Sequence, residues 1–298
     1  MSSLSMTATR WMLRLTSRAF ADTERWAARV QSRSSAEAAP IPPRLQRRFV
    51  ISDSVVSGHR VLRFAPRSRG SDWHIVYACG GAYVEPPVSF HWLMLERLID
   101  ATGATVTVPL YPLAPEHGHA EAFAFMQAVW AAVRQEQPAR RLVLAGDSAG
   151  GGLAVSLALQ LRDAGLPLPQ RLLLFAPWLD LTLADPAAKA MEDRDPELTV
   201  RSLRRCAAWW AGASDPRHPY LSPLYADLAG LPPIEIHQGS EDVLAPDVHS
   251  FTARVRAAGG RVRCTVCEGG FHVFNGAVWT PESKAMYRHV ADTFRAPV

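Results

Sequence analysis

Gly146-Asp147-Ser148-Ala149-Gly150 is a Gly-x-Ser-x-Gly run set between two patterned stretches, strand-like LVLA before it and helical GGLAVSLALQL after it. A strand can turn that sharply into a helix only where small residues flank the serine. The turn then holds the hydroxyl clear of the backbone, at the positive end of the following helix. A serine so placed is a candidate nucleophile for acyl transfer. It needs a base, and the base needs an acid to orient it.

With a nucleophile at such a turn, the acid and then the histidine follow along the chain. The histidines after Ser148 are His218, His237, His249, His272 and His289. His272 sits in EGGFHVFNG, a loop just past the last strand-like run. His237 lies inside the strand PIEIHQG, where a packed or half-exposed histidine is the default. His249 and His289 fall on helical stretches and His218 in an irregular region, so all three read as solvated. For the acid, PIEIHQGSEDVL offers Glu241 and Asp242, and spacing alone does not separate them. A tetrahedral intermediate also needs hydrogen-bond donors for its oxyanion. The run Ala78-Cys79-Gly80-Gly81-Ala82-Tyr83 follows a strand, and its glycines let backbone N–H groups approach a ligand closely. Gly80 and Gly81, with the Ala149 N–H behind the nucleophile, are the expected oxyanion donors.

These residues need a frame. RFVISDSVV and HRVLRFAP read as two antiparallel strands joined near Ser57-Gly58. WHIVYAC, ATVTVPLY, RLVLAG, RLLLFAP, PIEIHQG and RVRCTVC supply six more, with helical patterns around residues 89–102 and in EAFAFMQAVWAAVRQ. Strands alternating with helices imply an α/β protein whose eight-stranded, mostly parallel sheet is covered on both faces. In such sheets function gathers at the strands' C-terminal ends. Between about residues 182 and 218 the pattern breaks into a strand-free insertion that includes Trp209 and Trp210. Residues 31–47 are polar and Pro-rich and form a linker, so residues 1–47 read as a separate N-terminal segment and 48–298 as one catalytic domain.

The composition, 48% hydrophobic and 20% charged, is that of an ordinary soluble globular chain. Four cysteines make no secreted-type framework, which favours a reducing, cytoplasmic setting. Cys264 and Cys267 resemble a CxxC, but odd spacing on a strand sends the two side chains to opposite faces. The net charge is +4, and residues 1–48 hold nine Arg against three acidic residues, so the basic balance belongs to the N-terminal segment. No basic stripe interleaved with aromatics suggests nucleic acid. No run is long enough to span a bilayer. Residues 10–30 pattern as an amphipathic helix with Trp11, Leu15, Ala19 and Trp26 among its apolar positions. Docking on its own protein is the default for such a helix, and a membrane-surface helix is the alternative.

The set CGGAYV, YPLAPEH, GDSAGG, SPLYADLAGLPP, GSEDVL and GFHVF, in this order across residues 77–275, resembles the hormone-sensitive-lipase-like, or bacterial family IV, esterases. The resemblance implies the α/β-hydrolase fold with a helical cap made from the N-terminus and the insertion. It places the acid on Asp242, in Asp-x-Leu, with Glu241 as its neighbour. It places the histidine on His272 and the oxyanion glycines on Gly80 and Gly81. Cys79 stands where the family usually has His, and Ala82 where it usually has Gly. Leu110 and Pro112 replace an Asp and an Arg common around Tyr-x-Leu-Ala-Pro-Glu-His. Glu116 and His117 match the family and read as a supporting network. The expected function is hydrolysis of small or short-acyl carboxylic esters, lactones among them, through an acyl-enzyme, with no cofactor and no metal. The alternatives are an amidase or deacetylase acting on small N-acyl compounds and, from another class, a non-catalytic receptor on the same body. Retention of Ser148, Asp242 and His272 argues against the receptor. Nothing in the sequence decides between a monomer and a homo-oligomer.

Overall fold

The computed structural model describes residues 2–16, 23–33, 36–68, 70–138 and 140–296. Among the described residues the chain opens with the helices α1 (Leu4–Thr16), α2 (Thr23–Ser32) and α3 (Pro43–Arg48). Then come β1 (Phe49–Val56), β2 (His59–Pro66), β3 (Trp73–Ala78), α4 (Ser89–Thr102), β4 (Thr105–Pro109), α5 (His119–Glu136), β5 (Arg141–Asp147), α6 (Ser148–Asp163) and β6 (Arg171–Phe175). The helices α7 (Pro186–Met191) and α8 (Val200–Ala211) precede β7 (Ile234–Gly239), α9 (Ala245–Ala257), β8 (Val262–Cys267) and α10 (Pro281–Arg295).

The eight strands form one sheet in the order β1-β2-β4-β3-β5-β6-β7-β8. β2 runs antiparallel to both of its neighbours, and the pairs from β4 through β8 are parallel. Ser57 and Gly58, both at positive φ, make the tight turn between β1 and β2, a geometry whose twist matches that of a hairpin.

The apolar runs of the central strands follow from burial on both sides. Val76, Leu144, Leu174 and Ile236 face one layer, with Phe125, Leu157 and Phe251 from α5, α6 and α9. Ile75, Tyr77, Val143 and Leu173 face the other, with Leu95 and Val290 from α4 and α10. Truncating one such leucine to alanine costs roughly 2–5 kcal/mol. Cys264 packs toward the first layer and Cys267 toward the second, as strand alternation requires, and both are free thiols.

The N-terminal helices dock on the body. On α1, Met6 and Thr9 are buried. The Ser3 N–H and hydroxyl donate to the Glu282 carboxylate at 2.5 and 2.8 Å. On α2, Trp26, Ala27 and Val30 are buried. Glu24 accepts hydrogen bonds from Arg201 and Arg205 of α8. Ala19 lies outside the described residues.

Candidate active site

Ser148 is the first residue of α6, directly after β5, and its φ is +51°. A non-glycine residue held there carries about 1–3 kcal/mol of backbone strain. The surroundings enforce it. A Cβ on Gly150 would stand 2.0 Å from the Ala78 carbonyl oxygen, so glycine is what lets α6 start this close to β3.

Ser148 Oγ lies 2.9 Å from His272 Nε2, and His272 Nδ1 lies 2.9 Å from Asp242 Oδ2. Asp242 sits in the turn after β7, and His272 in the loop after β8. All three are buried. The acid is held from two further sides. Gln238 Nε2 donates to Oδ2 at 2.7 Å and the Leu244 N–H to Oδ1 at 2.8 Å. The two adjacent carboxylates separate cleanly in space, because Glu241 turns away to a two-pronged pair with Arg194 at 2.6 Å on each prong. Glu241 is thus a buried tether to the insertion and not a surface charge beside the site. The other histidines lie elsewhere. His237 is buried in β7 against Glu235 at 2.9 Å, with His289 3.7 Å from the same carboxylate. His218 and His249 are exposed.

A third carboxylate, absent from the sequence reading, enters from the insertion. Asp195 is buried. Its Oδ2 accepts from the Val243 N–H at 3.0 Å, and its Oδ1 from the Glu197 and Leu198 N–H groups at 2.8 and 2.9 Å. Burial and the charge of Asp242 push its pKa up to about 7, against the opposing pull of His272. At His272, burial disfavours the charged ring, but Asp242, Asp195 and Glu197 outweigh it and raise the pKa to about 9.

Beside the serine, Asp147 is buried and accepts from the Tyr77 hydroxyl at 2.9 Å, with His91 Nε2 at 3.5 Å. Burial opposes its charge, yet His91, the Tyr77 hydroxyl and the Gly80 N–H hold its pKa below the ordinary value. This bears on the donor loop. Gly80 points its N–H at Asp147 and lies outside the cavity that contains Ser148, whereas Gly81 and Ala82 line that cavity. Of the expected donors, Gly81 thus lies on the cavity wall, while the Gly80 N–H is among the groups that steady the Asp147 carboxylate. Ala82, also on that wall, is held at φ +53°.

The cavity over Ser148 and His272 has a volume of about 460 Å³. Thr9, Met12 and Leu13 of α1, Trp26 of α2, and Leu198 and Leu203 from the insertion wall it. Of the aromatic residues in these two segments, Trp26 lines the cavity and donates from Nε1 to Glu85 Oε1 at 2.7 Å. Trp209 packs on Trp26 at 5.7 Å, Trp210 stacks on Tyr83 at 4.2 Å, and Trp11 points outward. Phe20 lies outside the described residues.

Glu116 pairs with Arg33 at 2.6 Å and His117 with Glu121 at 2.8 Å, a network that does not touch the serine. Cys79 is buried, and burial together with the Asp147 charge pushes its thiol well above the usual range. It lines a separate cavity of about 260 Å³ with Leu110 and Pro112. Three positions at which the chain departs from the family pattern thus share one wall, on the far side of the donor loop.

Known proteins of the same fold share this chain's sequence pattern. The family profile described as "alpha/beta hydrolase fold" matches residues 75–276. An acetyl-hydrolase of Streptomyces hygroscopicus is 35% identical over 224 residues, covering 75% of each chain. An esterase of Acinetobacter venetianus is 30% identical over 223 residues, covering 73% of each. Among solved structures, a hormone-sensitive lipase from a metagenome library superposes with a TM-score of 0.85 at 26% identity, covering 98% of this chain and 99% of that one. EstE5, soaked with p-nitrophenyl butyrate, gives the same TM-score and identity over 99% and 98%. The chain belongs to the α/β-hydrolase-fold family, in its hormone-sensitive-lipase-like branch, and is a serine esterase.

Proposed function

We propose that Ser148, His272 and Asp242 hydrolyse small or short-acyl carboxylic esters by double displacement. His272 takes the Ser148 proton as Oγ attacks the ester carbonyl, and the oxyanion settles on the N–H groups of Gly81, Ala82 and Ala149. His272 then protonates the departing alkoxide, and water releases the acid from the acyl-enzyme by the same route. Asp242 keeps the Nδ1 proton in place, so that Nε2 faces the serine. The observation that carries this reading is the unbroken run of two 2.9 Å contacts from Ser148 to Asp242, opening onto the 460 Å³ cavity. The first 47 residues and the insertion at about 182–218 act as the cap over the catalytic domain. The cavity's largely apolar walls suit an acyl chain and leave room for lactones.

The test is a stopped-flow burst with p-nitrophenyl acetate and butyrate. The expected result is a burst of one p-nitrophenol per Ser148, with an acyl adduct on that serine in the mass spectrum. A stoichiometric burst with the adduct on any other residue overturns the assignment.

A further inference from the structure

Helix α1 is apolar on its outer face as well as on its inner one. Met6, Thr9 and Leu13 point inward. The opposite face is a stripe at helical spacing, Leu4, Ala8, Trp11 and Leu15, and it is both apolar and exposed. Leu4 is 91% exposed, Leu15 69% and Trp11 59%. Water would ordinarily face charged residues at such positions.

Two further observations say what covers this face. The helix that carries the stripe also walls the Ser148 cavity, through Thr9, Met12 and Leu13. Met12 on its flank lines that cavity, as do Val88, Phe90 and Trp279, all three exposed, and Trp279 Nε1 donates to Thr9 Oγ1 at 3.1 Å. The other flank is basic. Arg10 and Arg14 follow each other by one turn there; Arg14 donates to the backbone carbonyls of Asp193 and Arg194, which are neutral acceptors, and Arg10 lies close enough to Glu241 to lower its pKa. An apolar stripe with a tryptophan, edged by arginine, is the pattern of a helix lying in a lipid–water interface, with the cations at anionic headgroups. A second copy of the chain fits less well, since pairing α1 with α1 sets the arginine edges near each other. No helix among the described residues is long and apolar enough to cross a membrane.

We propose that the protein docks on anionic lipid surfaces through the outer face of α1, with the cavity mouth turned toward the lipid. The esters it cleaves are then amphiphiles that reach Ser148 from the lipid phase. This last clause rests on the proposed ester hydrolysis, while the docking itself does not.

The test uses the full chain with vesicles of phosphatidylglycerol and vesicles of phosphatidylcholine alone. Wild type should sediment with the first at least about tenfold more strongly than with the second, and added salt should weaken binding. Trp11→Glu with Leu15→Glu changes two residues outside the cavity. This variant should lose about tenfold or more of vesicle binding and of turnover of a long-chain p-nitrophenyl ester carried in the vesicles. Its kcat/KM on soluble p-nitrophenyl acetate should stay within about twofold, since α1 remains docked. A second variant, Arg10→Gln with Arg14→Gln, should lose the preference for phosphatidylglycerol. The proposal falls if wild type stays in the supernatant with phosphatidylglycerol vesicles, or if the Glu variant binds them as well as wild type. It falls equally if wild type is a dimer that the Glu variant splits. Vesicle binding without hydrolysis of any ester would overturn the proposed function and leave the docking intact.

Discussion

Replacing Asp195 by Asn tests whether the insertion reaches into the chemistry. The carboxylate takes three backbone N–H groups, two on Oδ1 and one on Oδ2. The amide keeps one oxygen. Placed toward Glu197 and Leu198, it preserves two bonds and sets its NH₂ against the Val243 N–H, donor against donor. That leaves a buried N–H unsatisfied, at a cost of about 1–3 kcal/mol. Val243 directly follows Asp242, so the strain falls on the loop that aims the acid. A displacement of about 1 Å at such a site costs up to about a hundredfold in rate. The charge has a separate effect. Asp195 is one of the groups that raise the His272 pKa to about 9. Hydrolysis needs the neutral ring, so the acid limb of kcat/KM follows this pKa. Removing a negative neighbour makes the imidazolium less stable, and the limb must move to lower pH. The assay is a pH series on p-nitrophenyl acetate for wild type, Asp195→Asn and Asp247→Asn. The last removes another buried carboxylate whose pKa burial pushes to about 7, but whose charged neighbours are Asp180 and Asp185. Asp195→Asn should lower the plateau tenfold to a hundredfold or so and shift the limb downward. Asp247→Asn should leave the limb in place. Equal profiles for wild type and Asp195→Asn, or the same shift in both variants, would refute the coupling.

In wild type, kcat/KM should climb as the pH rises from neutrality toward about 9, since His272 loses its proton in that range; a flat profile from pH 6 to 9 contradicts the pairing. Ser148→Ala should remove essentially all turnover with the fold retained, and a sulfonyl fluoride should label wild type at Ser148 alone. Asp242→Asn should cut kcat by up to about 10⁴, because the amide meets the Gln238 and His272 donors and favours the wrong tautomer. Glu241→Gln should stay within about tenfold in kcat and act through KM, because Glu241 holds Arg194 of the insertion and not the ring. Gly81→Val should lose about 10² to 10³ in kcat, since a Cβ there meets the Glu85 carbonyl oxygen at 2.1 Å at a φ of +132°; kcat within tenfold of wild type would remove Gly81 from the donor set.

The sheet was legible because its central strands are buried on both faces and read as apolar runs, while the outer strands β1 and β8 alternate in part. Ser148 and His272 were legible because a tight turn and a post-strand loop constrain residue type. Asp242 was not separable from Glu241 by spacing, since consecutive turn residues both look available until Arg194 is seen to claim one of them. Asp195 lay in a segment with no periodicity, where a buried carboxylate resembles any solvated one. The donor loop is the part the sequence leaves open. Two glycines suggested two N–H groups for the oxyanion, but Gly81 lines the cavity while the Gly80 N–H acts on the Asp147 carboxylate. Its burial shows only when β3 and β5 are side by side.

Part of the wall of the Ser148 cavity comes from two chain segments that hold no residue of the triad and no strand of the sheet. Thr9, Met12 and Leu13 belong to a helix that precedes the first strand, while Leu198 and Leu203 belong to a segment between two strands. Selection can therefore reshape what is accepted without touching what reacts. Substitutions at these five positions explore new specificities without altering the reacting groups, with most freedom at the exposed Met12 and least at the core residue Leu203, whereas changes at Gly150 or Ala78 disturb the turn that carries the nucleophile. Randomising the five together, with the catalytic residues untouched, is the economical library for directed evolution of this scaffold. Natural drift in acyl preference among its relatives should be concentrated in the same two stretches.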